Sequence, residues 1–324
     1  MGSTAIRPGY RGHARYSHRV NPDLNDITQE IASDPAAFIG IPLALVGAVF
    51  LSLGAQFQHR GVGKVEARTD SSVGKGMSGK QLALLLARPS WVIGTLMLGL
   101  AILFQLGSLS FAPIIVVQPL GAIALVITAV VNSRVAKVKV NRQSVIAIIM
   151  CVGGVFLFVF VAAFTAVDKP VTEQNLITIL IILAVVLAAF GLAFTFLRKR
   201  MRAIFYVLGA GVLYGFVATL AKVVIGRLQQ GDFEWLTLTC VIALLAATAL
   251  GAYFVQNAYA SGPPDLVIAG LTVIDPLVAV AIGIIVLGEA SQAPPWAIVV
   301  YIIAGVIAIW GVFRLAKYHP QTQL

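Results

Sequence analysis

Two formal charges, Lys222 and Asp275, lie within the long apolar segments of this 324-residue chain. A carboxylate near the middle of a bilayer costs roughly 2.5–3.5 kcal/mol on insertion scales, so its presence at position 275 needs a reason. Three roles are open: binding a cationic substrate or metal, relaying a proton, or serving as a structural group that polar neighbours satisfy. Because intramembrane ionisable groups are usually functional, we favour the first two roles.

Amide side chains are the next candidates for a substrate or coupling site. Gln118 lies in an apolar segment and precedes a proline, as Asp275 does. An amide both donates and accepts hydrogen bonds, so it suits a polar substrate, and a helix–helix hydrogen bond is an equal alternative. The same two roles are open for three further amides, which are Gln105, Gln256 and Asn257.

Four further side chains in or next to apolar segments are weaker candidates. Glu289 follows the eighth segment, and we expect a solvated surface acid there, with a substrate role as the alternative. Lys222 is close to the end of its segment, where a lysine can snorkel to water; attraction of an anionic substrate is the alternative. Tyr214 and Tyr253 are secondary candidates for lining a cavity, although tyrosine is also frequent at membrane interfaces.

The composition excludes an ordinary soluble enzyme. Charged residues make up 11% of the chain and hydrophobic residues 59%, whereas soluble domains carry about 25% charged residues. The net charge is +10, but the basic residues lie between apolar segments, which argues against nucleic acid as a partner. Cys151 and Cys240 both lie in apolar segments and are predicted to be small buried hydrophobes.

The sequence carries no signature of an enzyme or a bound cofactor. It has no spacing typical of metal ligands, no glycine-rich phosphate loop and no nucleophilic serine motif. We therefore predict a protein that is not an enzyme, with no cofactor and no ATP drive of its own. If the protein handles a divalent metal, Asp275 is the one predicted ligand.

Nine apolar segments are long enough to span a bilayer, which takes about 20 residues in a helix. Backbone groups in lipid must be satisfied internally, so an all-α, polytopic membrane fold is predicted. The predicted spans are Ala36–Phe57, Trp91–Ser110, Ala112–Ser133, Ser144–Thr165, Leu176–Leu197, Ala203–Ile225, Leu236–Tyr259, Leu266–Gly288 and Trp296–Phe313.

The two halves of the chain resemble each other. Residues 112–123 match residues 269–280, which places Gln118-Pro119-Leu120 on Asp275-Pro276-Leu277. The matching spans are five apart, an odd number, so the halves must insert in opposite directions, as in the inverted repeats of many secondary transporters. Pro119 and Pro276 interrupt their helices at equivalent places and are predicted to mark a central cavity.

Five segments follow from this pattern. They are a mobile polar tail (1–35), a first repeat (36–166), a connecting helix with a basic loop (167–202), a second repeat (203–315) and a C-terminal tail (316–324). With the N-terminus outside, the inner segments hold 16 Lys and Arg and the outer loops hold three, so the C-terminus is predicted to be cytoplasmic. A prokaryotic inner (plasma) membrane is expected, and a homodimer is left open.

At this point two family resemblances appear. Residues 106–123, with Phe-Ala-Pro followed by Pro-Leu-Gly-Ala, resemble the NIPA-type magnesium transporters, as does the basic exit Gln56-Phe-Gln-His-Arg-Gly-Val. Residues 275–289, with a proline in the span and Leu-Gly-Glu at its end, are similar to the EamA signature. Both families belong to the drug/metabolite transporter superfamily, which implies nine or so spans and transport of a solute.

The function expected from these observations is secondary transport of a small solute by alternating access, with proton coupling left open. The NIPA pattern has an acid about nine residues before Phe-Ala-Pro, where this chain has Ile102. Since Mg²⁺ is usually held by carboxylates, this departure places a magnesium or divalent-cation permease second. A lipid flippase and a non-transporting membrane scaffold are the remaining alternatives.

Overall fold

The structure is a computed structural model that describes residues 35–69, 87–135, 142–197, 203–261 and 264–318. Those residues form no strand, and the all-α prediction is confirmed. Residues 1–34 of the predicted tail, most of the basic loops and the last residues of the chain lie outside these ranges. The helices are α1 (Pro35–Thr69), α2 (Pro89–Phe111), α3 (Ile114–Val135), α4 (Arg142–Thr165), α5 (Glu173–Leu197), α6 (Ala203–Gln230), α7 (Trp235–Ser261), α8 (Pro264–Ile282) and α9 (Pro295–Tyr318).

Nine helices of the described ranges are long and apolar enough to cross a membrane, in agreement with the nine predicted spans. Many of their large apolar side chains point outward, among them Phe196 (83% exposed), Ile285 (80%) and Trp235 (75%). A water-soluble protein buries such side chains, whereas a helix in lipid exposes them to the acyl chains. The protein is therefore a multi-pass integral membrane protein.

Small residues let the helices approach each other closely. A Cβ added at Gly154 of α4 would lie 2.6 Å from the Ala308 N of α9, and one at Gly311 of α9 would lie 2.5 Å from the Cys151 N of α4. Gly211 and Gly215 of α6 make a similar contact, because Cβ atoms there would press against the side chains of Ile274 and Val278 on α8. Such close approach is the usual basis of helix association in membranes.

Helices that are five positions apart in the chain pack against each other. α3 packs against α8, and α4 packs against α9. In the second half α6 packs along α7, and in the first half Gly40 and Gly54 of α1 lie against α2 at Ala112 and Gly94. This arrangement is the one that an inverted repeat predicts.

Helix α8 ends in a π-helical turn, Gly283–Leu287, and then in Gly288, whose φ of 68° is left-handed. Glycine adopts this conformation without strain. The turn brings the backbone N–H of Glu289 back to the Gly283 carbonyl at 3.0 Å, and Asn175 Nδ2 of α5 donates to the Val286 carbonyl at 2.7 Å. The residue after Gly288 is thereby directed into the protein.

A pair of adjacent glycines tests the close packing of α4 on α9. Gly154→Ala should lower the free energy of unfolding by about 1–3 kcal/mol, because the added methyl group meets backbone atoms that have little room to move. Gly153→Ala is the matched control, since nothing lies within 4 Å of its Cβ position. Thermal unfolding of the purified protein in detergent measures both, and an equal loss in the two variants would contradict the proposed contact.

Candidate functional site

A cavity of about 450 Å³ lies between helices of the two halves. Its wall is mostly apolar, with a few polar side chains that converge on it. The polar residues in the wall are Gln105 of α2, Gln118 of α3, Tyr214 of α6, and Thr272 and Asp275 of α8. A largely apolar cavity with few polar groups is the usual form of a small-ligand site.

Asp275 lies near the middle of its span, Val267–Leu287, and contributes to this wall. Its carboxylate oxygen Oδ1 is buried and has no hydrogen-bond partner in the part of the chain that the structure describes. Most buried polar atoms in proteins are paired, so an unpaired carboxylate oxygen calls for an explanation. A structural role satisfied by polar neighbours, which was one of the three readings of the sequence, finds no support in these contacts.

The backbone around Asp275 is held by α6. A Cβ at Gly215 would lie 2.9 Å from the Asp275 carbonyl oxygen, so only glycine permits this approach. Tyr214, on the same helix, lines the same cavity as Asp275. Gln118 comes from α3 of the other half and is 6% exposed. The repeat-related pair Gln118 and Asp275 thus shares one cavity.

Three of the predicted site residues lie elsewhere. Gln256 and Tyr253 are exposed on α7, and Asn257 Nδ2 donates to the Tyr253 carbonyl of its own helix at 2.7 Å. The wall of the cavity contains none of the three. These residues were candidates because of their side-chain chemistry and their place in an apolar segment, and neither feature indicates which side of α7 faces the cavity.

The two prolines meet at a second, smaller space. Pro119 and Pro276 line an apolar cavity of about 90 Å³ between α3, α4, α8 and α9. Both prolines were predicted to mark a central cavity; Pro276 lines the larger cavity, whereas Pro119 lines only the smaller apolar space.

A buried group of charges lies beyond one end of the larger cavity. The Lys222 ammonium donates to the carbonyl oxygens of Leu109 (2.9 Å) and Ala112 (3.0 Å), at the end of α2. It also donates to Asp168 Oδ2 at 2.6 Å. The last carbonyls of a helix lack intrahelical partners and carry partial negative charge, so the lysine caps α2.

Glu289 caps the next helix. Its two carboxylate oxygens each accept a hydrogen bond of 2.8 Å, from the backbone N–H groups of Ile114 and Ile115 at the start of α3. The Glu289 backbone carbonyl accepts from Val167 N at 2.8 Å. A negative group at the N-terminus of a helix satisfies its free donors and its dipole.

The expectations for both charges were wrong. Lys222 is 4% exposed and Glu289 is 0% exposed, so neither is solvated at the surface. Helices α2 and α3 are nearly continuous and break at Ala112-Pro113, which leaves buried backbone groups that need partners. In the sequence, Pro113 is the residue that indicates this break between the helices, and with it the buried backbone groups that need partners. Asp168, which completes the group, was not singled out from the sequence.

Burial dominates the electrostatics of Glu289. Removal from water raises the pKa of this carboxyl to about 7, while the amide bonds from Ile115 and Ile114 and the charge of Lys222 pull the pKa back down.

The arrangement offers no closed metal cage. Within the described ranges no three His, Cys, Asp or Glu side chains come together as metal ligands. Free Cys151 and Cys240 are buried, as predicted. A cation in the larger cavity would meet one carboxylate and several neutral oxygens, so it would keep most of its own water.

The comparisons with known proteins decide the family. The family model described as magnesium transporter NIPA matches residues 36–321. The chain belongs to the NIPA family. This family is part of the drug/metabolite transporter superfamily, and the match covers both halves of the chain, including the segment that resembles EamA.

The NIPA-family assignment makes the protein a membrane transporter. A curated relative, an uncharacterised protein of Corynebacterium glutamicum, is 23% identical over 281 residues, which cover 86% of this chain and 95% of the relative. No solved structure matches the chain.

The different contacts of the two buried acids predict opposite effects on stability. Glu289→Gln should lower the free energy of unfolding by about 1–3 kcal/mol, because an amide leaves one buried N–H of α3 unpaired. Asp275→Asn should leave stability unchanged or raise it, because Oδ1 has no hydrogen bond to lose within the described residues and a charge is removed from the interior.

Thermal unfolding in detergent measures both variants at one pH. A marked loss of stability in Asp275→Asn would show that Asp275 is structural, and an unchanged Glu289→Gln would refute its role as a cap of α3.

Proposed function

We propose that this NIPA-family transporter carries a hydrated divalent cation through the cavity of about 450 Å³, with Mg²⁺ as the leading substrate and Asp275 as its anionic ligand. The observation that carries the proposal is that Asp275 lines that cavity, while one of its carboxylate oxygens, Oδ1, is buried and has no hydrogen-bond partner among the described residues. A cation bound by this carboxylate would supply the partner that the described part of the chain does not. The family name points to the same ion.

A single carboxylate fits the coordination habits of Mg²⁺. The ion is small, dehydrates reluctantly and is commonly bound through one or two carboxylates while it keeps several waters. A water needs about 10–15 Å³ of such space, so a cavity of about 450 Å³ has room for an ion with its hydration shell. The side chains of Gln118 and Gln105 would accept hydrogen bonds from the coordinated waters.

Alternating access would follow from the repeat. The halves contribute equivalent helices, α3 and α8, to the centre, and each carries a proline next to the polar residue. The apolar space of about 90 Å³ between Pro119 and Pro276 gives these helices room to change their packing. Asp275 would bind cargo from either side in turn, and proton binding at the same carboxylate is the route by which coupling would arise.

We also propose the topology and organisation that the sequence indicates. The N-terminus would be outside and the C-terminus cytoplasmic in a prokaryotic plasma membrane. The segments would be the tail (1–35), repeats at 36–166 and 203–315, a connecting part (167–202) and a C-terminal tail (316–324). A homodimer stays a prediction.

A small organic cation is the second candidate substrate. The wall of the larger cavity is mostly apolar, with side chains such as Leu51, Leu106 and Val217, and the space exceeds what one hydrated ion needs. Asp275 would then pair with an ammonium group while the apolar wall holds the rest of the solute.

Flux into proteoliposomes that enclose a Mg²⁺-sensitive dye tests the role of Asp275. We expect Asp275→Asn to reduce the initial rate by about tenfold or more, because it removes the charge that attracts the ion. Gln256→Ala is the matched control, since this amide is exposed on α7 outside the cavity wall.

The same assay with a panel of organic cations separates the two candidates. Flux of organic cations alone would overturn the magnesium proposal, and flux of labelled lipid alone would indicate a flippase. No flux of any kind from folded protein would favour a scaffold. Mg²⁺ flux that Asp275→Asn leaves intact would refute the proposed ligand.

A second carboxylate should strengthen divalent binding. Ile102 lies in the wall of the cavity, at the place where the NIPA pattern has an acid. Ile102→Asp should lower the Mg²⁺ concentration for half-maximal flux by about tenfold, because Mg²⁺ is often held by two carboxylates. Ile102→Asn introduces a side chain of the same shape as aspartate but without its charge, and it should leave this Mg²⁺ concentration unchanged. Equal behaviour of the two variants would contradict this account.

A further inference from the structure

The buried charges beyond the cavity join the two halves of the chain. Lys222 and Glu289 belong to the second half, whereas the backbone groups that they bind belong to the α2–α3 turn of the first half. Asp168, from the loop between α4 and α5, completes the group through its ion pair with Lys222. We call these three side chains the turn clamp.

The turn clamp lies directly at one end of the larger cavity. Leu109 and Ala221 are part of the cavity wall. The Leu109 carbonyl is bonded to Lys222, the residue that follows Ala221. Any movement of the α2–α3 turn away from α6 would therefore open the cavity on this side.

We propose that the turn clamp is the gate that closes the cavity on the side of the α2–α3 turn, and that transport requires the release of its contacts between the halves. This inference rests on the proposed transport through the cavity and adds the residues that control access to it. In the structure the gate is closed, because all five polar contacts that Lys222 and Glu289 make through their side chains are in place.

The chemistry of the clamp suits a reversible closure. Its hydrogen bonds involve charged groups, which form stronger hydrogen bonds than neutral groups do, and two of its three side chains, Lys222 and Glu289, are buried. When the turn moves away, the freed carbonyls, N–H groups and charges meet water, which replaces the lost partners. The closed and open arrangements are then two discrete states, as a gate requires.

A second ion-paired cation on the same helix, the buried Arg227, provides a matched control. Arg227 of α6 is 7% exposed and pairs with Asp232 at 3.0 Å and with Glu234 at 3.9 Å. Those acids lie in the turn between α6 and α7, so this pair stays within the second half. Its loss would remove a buried charge at the same end of α6 without releasing the first half.

Access of a thiol reagent to the cavity tests the gate. Ala218 lines the cavity, and Ala218→Cys provides the reporter in otherwise unchanged protein. A membrane-impermeant maleimide is applied to each face of proteoliposomes separately. The native Cys151 and Cys240 are buried, and protein without the reporter gives their background.

We expect Lys222→Met and Glu289→Gln each to raise the rate of modification roughly tenfold or more from one face only, the face of the α2–α3 turn. Arg227→Met should stay within about twofold of the parent. Equal rates in all variants would overturn the gate, and so would an equal rise in Arg227→Met, which would mean general loosening. If Lys222→Met does not fold, Asp168→Asn replaces it with the same expected direction.

The assay uses no substrate, so its outcome is independent of the cation proposal. A rise in access together with unchanged Mg²⁺ flux in Asp275→Asn would support the gate and remove the proposed ligand. No rise in access together with lost flux in Asp275→Asn would support the ligand and remove the gate.

Discussion

The structure depends on one constraint, which is that polar backbone groups away from water must find partners inside the protein. The constraint is most severe where α2 stops and α3 starts, because two buried helix ends meet there within three residues. Lys222 supplies the donor for the carbonyls of α2, and Glu289 supplies the acceptors for the N–H groups of α3. The first half of the chain is thus held in place by side chains of the second half.

The same constraint makes Asp275 conspicuous. Lys222 and Glu289 are buried with their partners, whereas Asp275 keeps a buried oxygen without one in the described part of the chain. Helix α6 links the two places, since Gly211 and Gly215 hold it against α8 around Asp275, and Lys222 lies two turns further along. A cation arriving at Asp275 and a change at the clamp would therefore act on one rigid element.

Much of the fold follows from the sequence alone. Nine apolar segments, one carboxylate in the middle of a span and a repeated X-Pro-Leu sufficed to predict an all-α membrane transporter, because length and hydropathy determine spans directly. Gln118 and Tyr214 were candidates from the sequence because they are polar residues in apolar segments, and both line the cavity in the structure. The family follows from residues 36–321 as a whole.

The environment of the terminal charges could not be predicted in this way. A charge near a span end is compatible with water or with a buried helix end, and the choice depends on which helix ends meet in three dimensions. Lys222 and Glu289 lie more than 100 residues from their partners in the α2–α3 turn, so the sequence around each residue does not indicate the contact. The sequence also could not show that Gln256 and Asn257 lie outside the cavity wall. The side of α7 that faces the cavity depends on the rotation of this helix about its axis, which is set by packing.

The central claim is that the carboxylate of Asp275 holds a divalent cation in the cavity. Equilibrium binding of Mg²⁺ to the purified protein, compared between wild type and Asp275→Asn by titration calorimetry, tests it without any transport step. The account predicts one saturable site in the wild type that is lost in the variant, with the variant as stable as the wild type. Equal Mg²⁺ binding by the two proteins would contradict it.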